Sequence, residues 1–514
     1  MSQFDRVPAD LRGGLGRLNR RSLLRAAAAA GIVPATATLG GLTNVSAASP
    51  LRSQADPTTL TIAMNGSPSD LDPHSVYDYR SAMPLRGPYE GLIALEGSAT
   101  DKYVPVLAES WEANEDKSVW TFAIRSGVTF HDGTPVDAEA VRLSYERFLT
   151  LGIGPVSVLT RFVEDSKQIT VPDSGTVVFD LGKPQPLFEA AIASQYGPQV
   201  VNATLLREQE TDGDWGRAWA QNNAEGTGTG PYRIVEFEPG QQLIMERYEG
   251  YWGDWEGEHF DRIIIRVVPE TETRLQLIER GEVDIVDNLT PQALLALEQN
   301  PDVVVDKSLS TQVEYFILTE AGPLATPEAR QAMCYAFPYD EVVEGVYEGY
   351  AKRAIGPVAE MIRGFNPETF QYTTDLEKAR ELFAEAGVAE GTELRLAQEE
   401  GDENAKSAVQ LFAANLAQIG INLAIETMDT TSYTALLYGD QPAEERPNVM
   451  WWGWWPDYND AWNHLYPQVS CEAWGSKGAN AGFYCNERVD ELLAESRDAA
   501  DPTNYEAAVS EVQQ

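Results

Sequence analysis

The sequence predicts an α/β architecture with more than one core, and three observations carry that prediction. The chain has 514 residues, too many for one hydrophobic core at about 100 to 200 residues per domain. Strand-like and helix-like stretches alternate along most of it, as they do where helices cover a sheet, and there is no fixed-period repeat. Apolar residues make up 43%, with 12 Trp, so large cores can be buried although 38 Lys and Arg face 79 Asp and Glu for a formal net charge of −41. A field that negative repels phosphate backbones and anionic lipid, so neither nucleic acid nor a membrane surface is an expected partner. The excess acid itself reads as a solvated surface.

In chain order, residues 1–48 read first as an export signal of the twin-arginine type. Arg20-Arg21 precede Leu23, Leu24 and Arg25, an Ala-rich stretch runs from Ala26 to Leu42, and Val45-Ser46-Ala47-Ala48 offers small residues for cleavage. A membrane span needs about 20 predominantly apolar residues, and Pro34, Gly40 and Gly41 interrupt this one. Cleavage removes six Arg and two Asp, leaving about −45. No later stretch is long and apolar enough to cross a bilayer, so a soluble, exported protein is expected. The first cysteine is Cys334, which leaves none near the signal to carry a lipid anchor. Cys471 and Cys485, fourteen positions apart in an exported chain, are expected to form a disulfide, with Cys334 a small buried apolar residue.

Beyond the polar linker 52–59, Leu60–Met64 alternates as a strand, and Ser67–His74 is a loop carrying Asp70, Asp72 and Pro73. Leu107–Trp111, Trp120–Arg125, Val128–Phe130 and Val177–Leu181 read as strands. Asp137–Leu149 is a helix capped by Asp137, and Leu187–Ser194 is another. Gly226-Thr227-Gly228-Thr229-Gly230-Pro231 is a turn feeding a hairpin of Tyr232–Phe237 and Gln242–Arg247. It is not a phosphate loop, since no Lys-Ser or Lys-Thr follows and a strand stands where a helix N-terminus would be needed. Ile263–Val268, a helix from Thr271 to Arg280 ended by Gly281, and Val283–Val286 make a strand, helix, strand unit. A helix at Pro291–Glu298 follows and leads to Val303–Val305. Val313–Leu318 then opens an alternating region with helices at Pro327–Ala336, Asp375–Ala386 and Asn404–Ile419 and strands at Glu393–Ala397, Asn422–Glu426 and Val449–Trp452.

Catalysis finds little support. The four histidines, His74, His131, His259 and His464, are scattered and form no zinc-ligand spacing, so no metal site and no cofactor is expected. There is no Gly-x-Ser-x-Gly elbow, and adjacent acids such as Glu399 and Glu400 are common in so acidic a chain. One stretch stands out. Between Met450 and Trp462 lie five of the 12 Trp, punctuated by Gly453 and Pro456 and interspersed with Asp457 and Asp460. Aromatic faces at a strand end beside a carboxylate suit capture of a ligand that has apolar or planar surfaces and a cationic group.

The run Leu107-Ala108-Glu109-Ser110-Trp111, then Trp120-Thr121-Phe122 through Gly127-Val128-Thr129-Phe130-His131-Asp132-Gly133-Thr134-Pro135, resembles the signature of extracellular solute-binding proteins of the dipeptide and oligopeptide type, the receptors of ABC importers. Gly228-Thr229-Gly230-Pro231-Tyr232, Tyr251-Trp252-Gly253, Gly281 to Ile285, Arg330-Gln331-Ala332, and Gly453-Trp454 through Asn459 match the same family in the same order. The resemblance implies a two-lobed periplasmic-binding-protein clamshell of type II, closing on ligand at an interdomain cleft, with an additional α/β domain. Carried over, lobe I comprises 57–91 and 229–311, the additional domain 92–228, and lobe II 312–514. Relatives run several tens of residues further, so a closing C-terminal return of lobe I is expected to be missing.

The resemblance also assigns roles. Asp457 matches an Asp that holds a peptide amino terminus, and Trp454 matches a pocket aromatic. Trp455, Tyr458 and Asn459 belong to the same motif, and Tyr77, Tyr79, Tyr315 and Thr319 lie in segments that the family places at the cleft. His131-Asp132-Gly133 becomes a structural turn, and the spacing of Cys471 and Cys485 is similar to a disulfide of the dipeptide-binding branch. Some dipeptide binders carry an Arg that clamps the ligand carboxylate, where this chain reads Gln398-Glu399-Glu400-Gly401-Asp402-Glu403, so a strict dipeptide preference is not expected. The expected protein is a monomeric, non-enzymatic receptor for peptides that works with membrane permease subunits. An oligosaccharide ligand is the alternative within the fold, and a secreted hydrolase the alternative outside it.

Overall fold

The computed structural model describes residues 58–499 and 501–514, and the expected export signal lies outside them. In chain order the strands are β1 (Thr59–Met64), β2 (Ile93–Leu95), β3 (Tyr103–Pro105), β4 (Ala108–Ala113), β5 (Val119–Ile124), β6 (Ile169–Asp173), β7 (Thr176–Asp180), β8 (Tyr232–Glu238), β9 (Gln242–Arg247), β10 (Arg262–Val267), β11 (Ile285–Val286), β12 (Val313–Leu318), β13 (Glu393–Glu399), β14 (Asn422–Met428) and β15 (Val449–Trp454). They form a five-stranded sheet, two four-stranded sheets and a hairpin of β2 and β3, so the α/β expectation holds. Among the described residues no helix is long and apolar enough to cross a membrane. The chain divides into two compact units, the first running up to Ala108 and including Ile124–Gly154 and Gln199–Leu289, the second taking Glu109–Ala123, Pro155–Pro198 and Thr290 onward.

The first unit is built on the sheet ordered β11-β1-β10-β9-β8. Strand β1 runs parallel to β10 and β11, and the β8–β9 hairpin extends the sheet antiparallel. Parallel strands need a crossover connection, and the helix Thr271–Glu279 supplies the one that carries the chain from β10 past β1 to β11. Met64, Leu85, Leu243, Met245 and Ile265 fill the core on one face of the sheet, and Leu277 and Ile278 of that helix pack on Ala63, Val268 and Val283 in a separate cluster. The glycine-rich turn serves close backbone packing, as a Cβ on Gly228 would come within 2.0 Å of the Pro88 carbonyl oxygen, and one on Gly230 within 2.3 Å of that of Gly87. His131 fastens the same turn, its backbone N–H donating to Gly228 O at 2.8 Å and its Nε2 to Gly230 O at 2.9 Å. Glu90 ties that turn to the Tyr251-Trp252-Gly253 motif, accepting from the Thr229 hydroxyl, the Tyr251 hydroxyl and the Trp252 indole at 2.9, 2.8 and 2.9 Å.

One expected strand does not form. Val128–Phe130 keeps a single bridge, Thr129 to Pro135, because the His131–Thr134 turn folds the segment back on itself, with Phe130 N–H donating to Thr134 O at 2.9 Å. The helix after it spans Ala138–Leu151, with the Asp137 side chain capping Ala140 N–H and Gly152 ending it at φ 61°. On its buried face lies Arg147, whose guanidinium grips both carboxylate oxygens of Asp72 at 3.0 and 2.6 Å and donates to His74 Nδ1 at 2.9 Å. Its Nε donates to Trp215 O at 2.9 Å. His74 Nε2 therefore carries the proton and donates to Gln199 O at 2.9 Å.

The second unit holds the sheet ordered β12-β15-β13-β14, in which β13 runs parallel to β14 and β15 while β12 runs antiparallel to β15. Alternation along these strands separates two cores. Leu394, Leu396, Val449 and Phe412 pack with the helices on one face, and Ala397, Met450 and Tyr433 pack on the other. Strands β5, β6 and β7, with β4 at the edge, make the second four-stranded sheet. The helices Ala461–Val469, Glu487–Asp498 and Pro502–Val512 follow the last strand; a helix ending at Val512-Gln513-Gln514 was expected from the sequence, and the other two were not. Cys471 and Cys485 are bridged. Cys334 is half-buried rather than buried, and burial pushes its thiol up to about 11.

Candidate functional site

The tryptophan cluster is parted by the two-residue period of β15. Trp451 lies opposite Phe316, with ring centroids 4.9 Å apart, and belongs to one core. Trp452 lies opposite Tyr315 and packs with Tyr433 and Tyr438 on the other face. Trp454 stays buried, its indole N–H donating to the Asn463 carbonyl at 3.0 Å. Beyond it the chain leaves the sheet at the carboxyl end of parallel strands, the usual place for ligands in α/β folds. Trp455 is 44% exposed there.

Asp457 follows, only 5% exposed. Its backbone N–H donates to Asn463 Oδ1 at 2.6 Å, and Asn463 Nδ2 donates to Asp457 Oδ2 at 3.2 Å. The Ser194 hydroxyl donates to the Asp457 carbonyl at 2.6 Å. Tyr458 is buried edge-on against Phe162, ring centroids 6.1 Å apart, and burial pushes its phenol up. Asn459 is half-buried. Asp460 caps the next helix, accepting from Trp462 N–H at 2.9 Å and from the Tyr505 hydroxyl. Burial pushes the Asp460 carboxyl up to about 6, against those hydrogen bonds and the Arg363 charge. Trp462 stacks on Tyr466 with centroids 4.5 Å apart, and the Arg161 guanidinium lies 4.6 Å from the Tyr466 ring.

Of the residues expected at a ligand site, Trp454, Asp457 and Tyr458 come together in the second unit. Tyr315 connects to them through Tyr438, which sequence reasoning missed. Burial and then the Asp457 charge push the Tyr438 phenol up, and burial followed by Tyr438 does the same to Tyr315. Thr319 is buried with its hydroxyl donating to Pro447 O at 2.7 Å, so it fastens the end of β12. Tyr77 and Tyr79 belong to the first unit, Tyr77 44% exposed and Tyr79 half-buried with its hydroxyl 3.3 Å from Asn65 Oδ1. In the stretch where an Arg clamp was sought, β13 ends at Glu399 and Asp402 caps the helix Glu403–Gln418. Asn463 and Ser194 were also missed. Asn463 follows a capping Asp in a readable helix start, whereas Ser194 lies 263 positions from its partner and gave no signal.

The arrangement offers a buried carboxylate and aromatic faces, which recognise a hydrogen-bond donor or cation beside apolar surface. Among the described residues no group of three or more His, Cys, Asp or Glu could hold a metal ion.

A family model described as bacterial extracellular solute-binding proteins, family 5 Middle, matches residues 102–476. The chain is 30% identical over 448 residues to the probable D,D-dipeptide-binding periplasmic protein DdpA of Escherichia coli (strain K12), covering 86% of this chain and 83% of that one. It is 26% identical over 479 residues to the glutathione-binding protein GsiB of Pectobacterium atrosepticum, covering 92% and 88%. The ABC transporter-associated periplasmic binding protein DppA from Helicobacter pylori, solved in complex with peptide STSA, superposes with a TM-score of 0.75 at 25% identity, covering 88% of this chain and 89% of that chain.

Proposed function

This chain belongs to the bacterial extracellular solute-binding proteins of family 5, and from that premise we propose that it is the extracytoplasmic substrate-binding component of an ABC importer, capturing peptides by lobe closure and delivering them to a membrane permease. In this reading residues 1–48 are a cleaved export signal, 57–91 and 229–311 form lobe I, 92–228 the additional domain and 312–514 lobe II. The receptor acts as a monomer and does no chemistry on its ligand. Ligand drives closure only through the extra contacts it makes in the closed state.

The observation that supports the peptide reading is the buried Asp457 carboxylate beside Trp454 and Tyr458. Asp457 takes the peptide amino group, Trp454, Trp455 and Tyr458 wall the adjacent side chain, and Asn459, Tyr315, Tyr77 and Tyr79 contribute secondary contacts. With no Arg from Gln398 to Glu403, a ligand carboxylate close to the amino end has no clamp there, which favours peptides longer than two residues. Titrating tryptophan fluorescence with di-, tri- and tetrapeptides and with β-linked oligosaccharides tests the ligand class. Peptide binding is expected to weaken by about 2 to 5 kcal/mol in Asp457→Ala, as when one partner of a buried charge pair is lost. An unchanged dissociation constant removes Asp457 from the site, and turnover of any ligand overturns the receptor reading.

A further inference from the structure

We propose that Asn463, backed by Ser194, is a positioning residue that orients the Asp457 carboxylate and through it sets the affinity for a cationic ligand group. The proposal rests on the reading of Asp457 as the ligand anchor. Asn463 is fully buried, and a buried side-chain amide needs its donors and acceptor matched. It directs them at the ligand motif. Its Oδ1 takes the Asp457 N–H at 2.6 Å, its Nδ2 reaches Asp457 Oδ2 at 3.2 Å, and its own carbonyl takes the Trp454 indole N–H at 3.0 Å. Ser194 closes the remaining side, its Oγ donating to the Asp457 carbonyl at 2.6 Å while accepting from Tyr196 N–H at 3.0 Å.

Asp457 is thus held at its N–H, its carbonyl and one carboxylate oxygen, so the backbone that carries the carboxylate is fixed and Oδ2 has a partner before a ligand arrives. Pre-organisation of this kind removes the ordering cost that binding would otherwise carry. A residue that merely started the helix Ala461–Val469 would need none of these contacts, since Asp460 already caps it. Around this carboxylate the phenols of Tyr438 and Tyr458 are both pushed up by burial and stay neutral across the pH range in which a carboxylate changes charge, while the charges of Arg161 and Asp460 also act on Tyr458.

The test compares the full chain with Asn463→Leu, which keeps the shape and removes the amide, with Ser194→Ala and with Asp457→Ala. Affinity for tri-alanine and N-acetyl-tri-alanine is measured by calorimetry. The carboxyl titration of Asp457 is followed by 13C NMR in the ligand-free protein, assigned with Asp457→Asn. Asn463→Leu is expected to weaken tri-alanine binding roughly tenfold, to leave the weaker N-acetyl peptide unchanged, and to move the Asp457 titration upward by about one pH unit. Ser194→Ala should shift both in the same direction by less. If Asn463→Leu matches the parent in affinity and titration while Asp457→Ala loses binding, the positioning role is overturned and the anchor stands. If Asp457→Ala binds tri-alanine like the parent, the anchor reading fails and takes the proposal with it. Should Asn463→Leu not fold, an unshifted titration in Ser194→Ala overturns the proposal. The titration needs no ligand and decides the orientation claim whichever peptide is preferred.

Discussion

Asp72 in the first unit and Asp460 in the second are both almost wholly buried, yet their carboxyl groups are driven in opposite directions. Burial pushes Asp72 up, but the Arg147 charge and its two hydrogen bonds overcome that and leave the group below the usual carboxylate range. Asp460 is held by a phenol and a backbone N–H, and burial carries it up to about 6. The difference teaches that removal from water does not decide the charge of a carboxyl group. A guanidinium in two-point contact keeps it ionised, whereas the phenol and backbone donors around Asp460 leave it close to neutral in mild acid.

The comparison breaks most readily at Arg147. Arg147→Met strands the Asp72 carboxylate in the interior and is expected to cost about 3 to 5 kcal/mol, read as a lowered urea midpoint. A loss below about 1 kcal/mol would mean that solvent reaches Asp72 after all. Acid is the next probe. His74 and His464 are both pushed down to about 4 by burial, with the Arg147 charge adding to the effect at His74. Their folded forms hold fewer protons than the unfolded chain, so their stabilising effect is complete above about pH 6.5 and is lost as the pH falls toward 4, by about 3 kcal/mol for each. Melting temperature recorded across that window checks it.

Asp460 works against that slope. Its raised value means that its contribution is present below the ordinary carboxylate range and is lost as the pH rises through about 6. Asp460→Asn is therefore expected to stabilise the protein at pH 7 by about 2 kcal/mol and to steepen the acid loss between pH 4 and 6. A pH profile parallel to the parent's would show that Asp460 does not titrate there. The smallest effect is expected from Tyr505→Phe, which removes one donor from Asp460 and costs about 1 kcal/mol while moving its titration higher still, observable by carboxyl NMR.

What could be read beforehand followed the range of the forces involved. Val313–Leu318 and Pro327–Ala336 form as expected, because period and capping are local. The Val128–Phe130 strand failed because the turn directly after it captured its hydrogen bonds, and the helix Ala461–Val469 was overlooked because Pro467 interrupts its pattern. At the site, Asp457 and Trp454 stood out through composition and family likeness. Asn463 and Ser194 did not, since an amide or hydroxyl acquires its role only from what it meets in space. Tyr438 likewise joins Tyr315 to Asp457 only after β12 and β15 are paired.

The hydrogen bond from Ser194 to the Asp457 carbonyl joins positions 263 apart in the sequence. During synthesis the earlier partner leaves the ribosome long before the later one exists, and contacts of such separation are the slow ones to form. The Ser194 clasp on Asp457 is therefore absent from the nascent chain for most of translation and closes only after the later partner has been made.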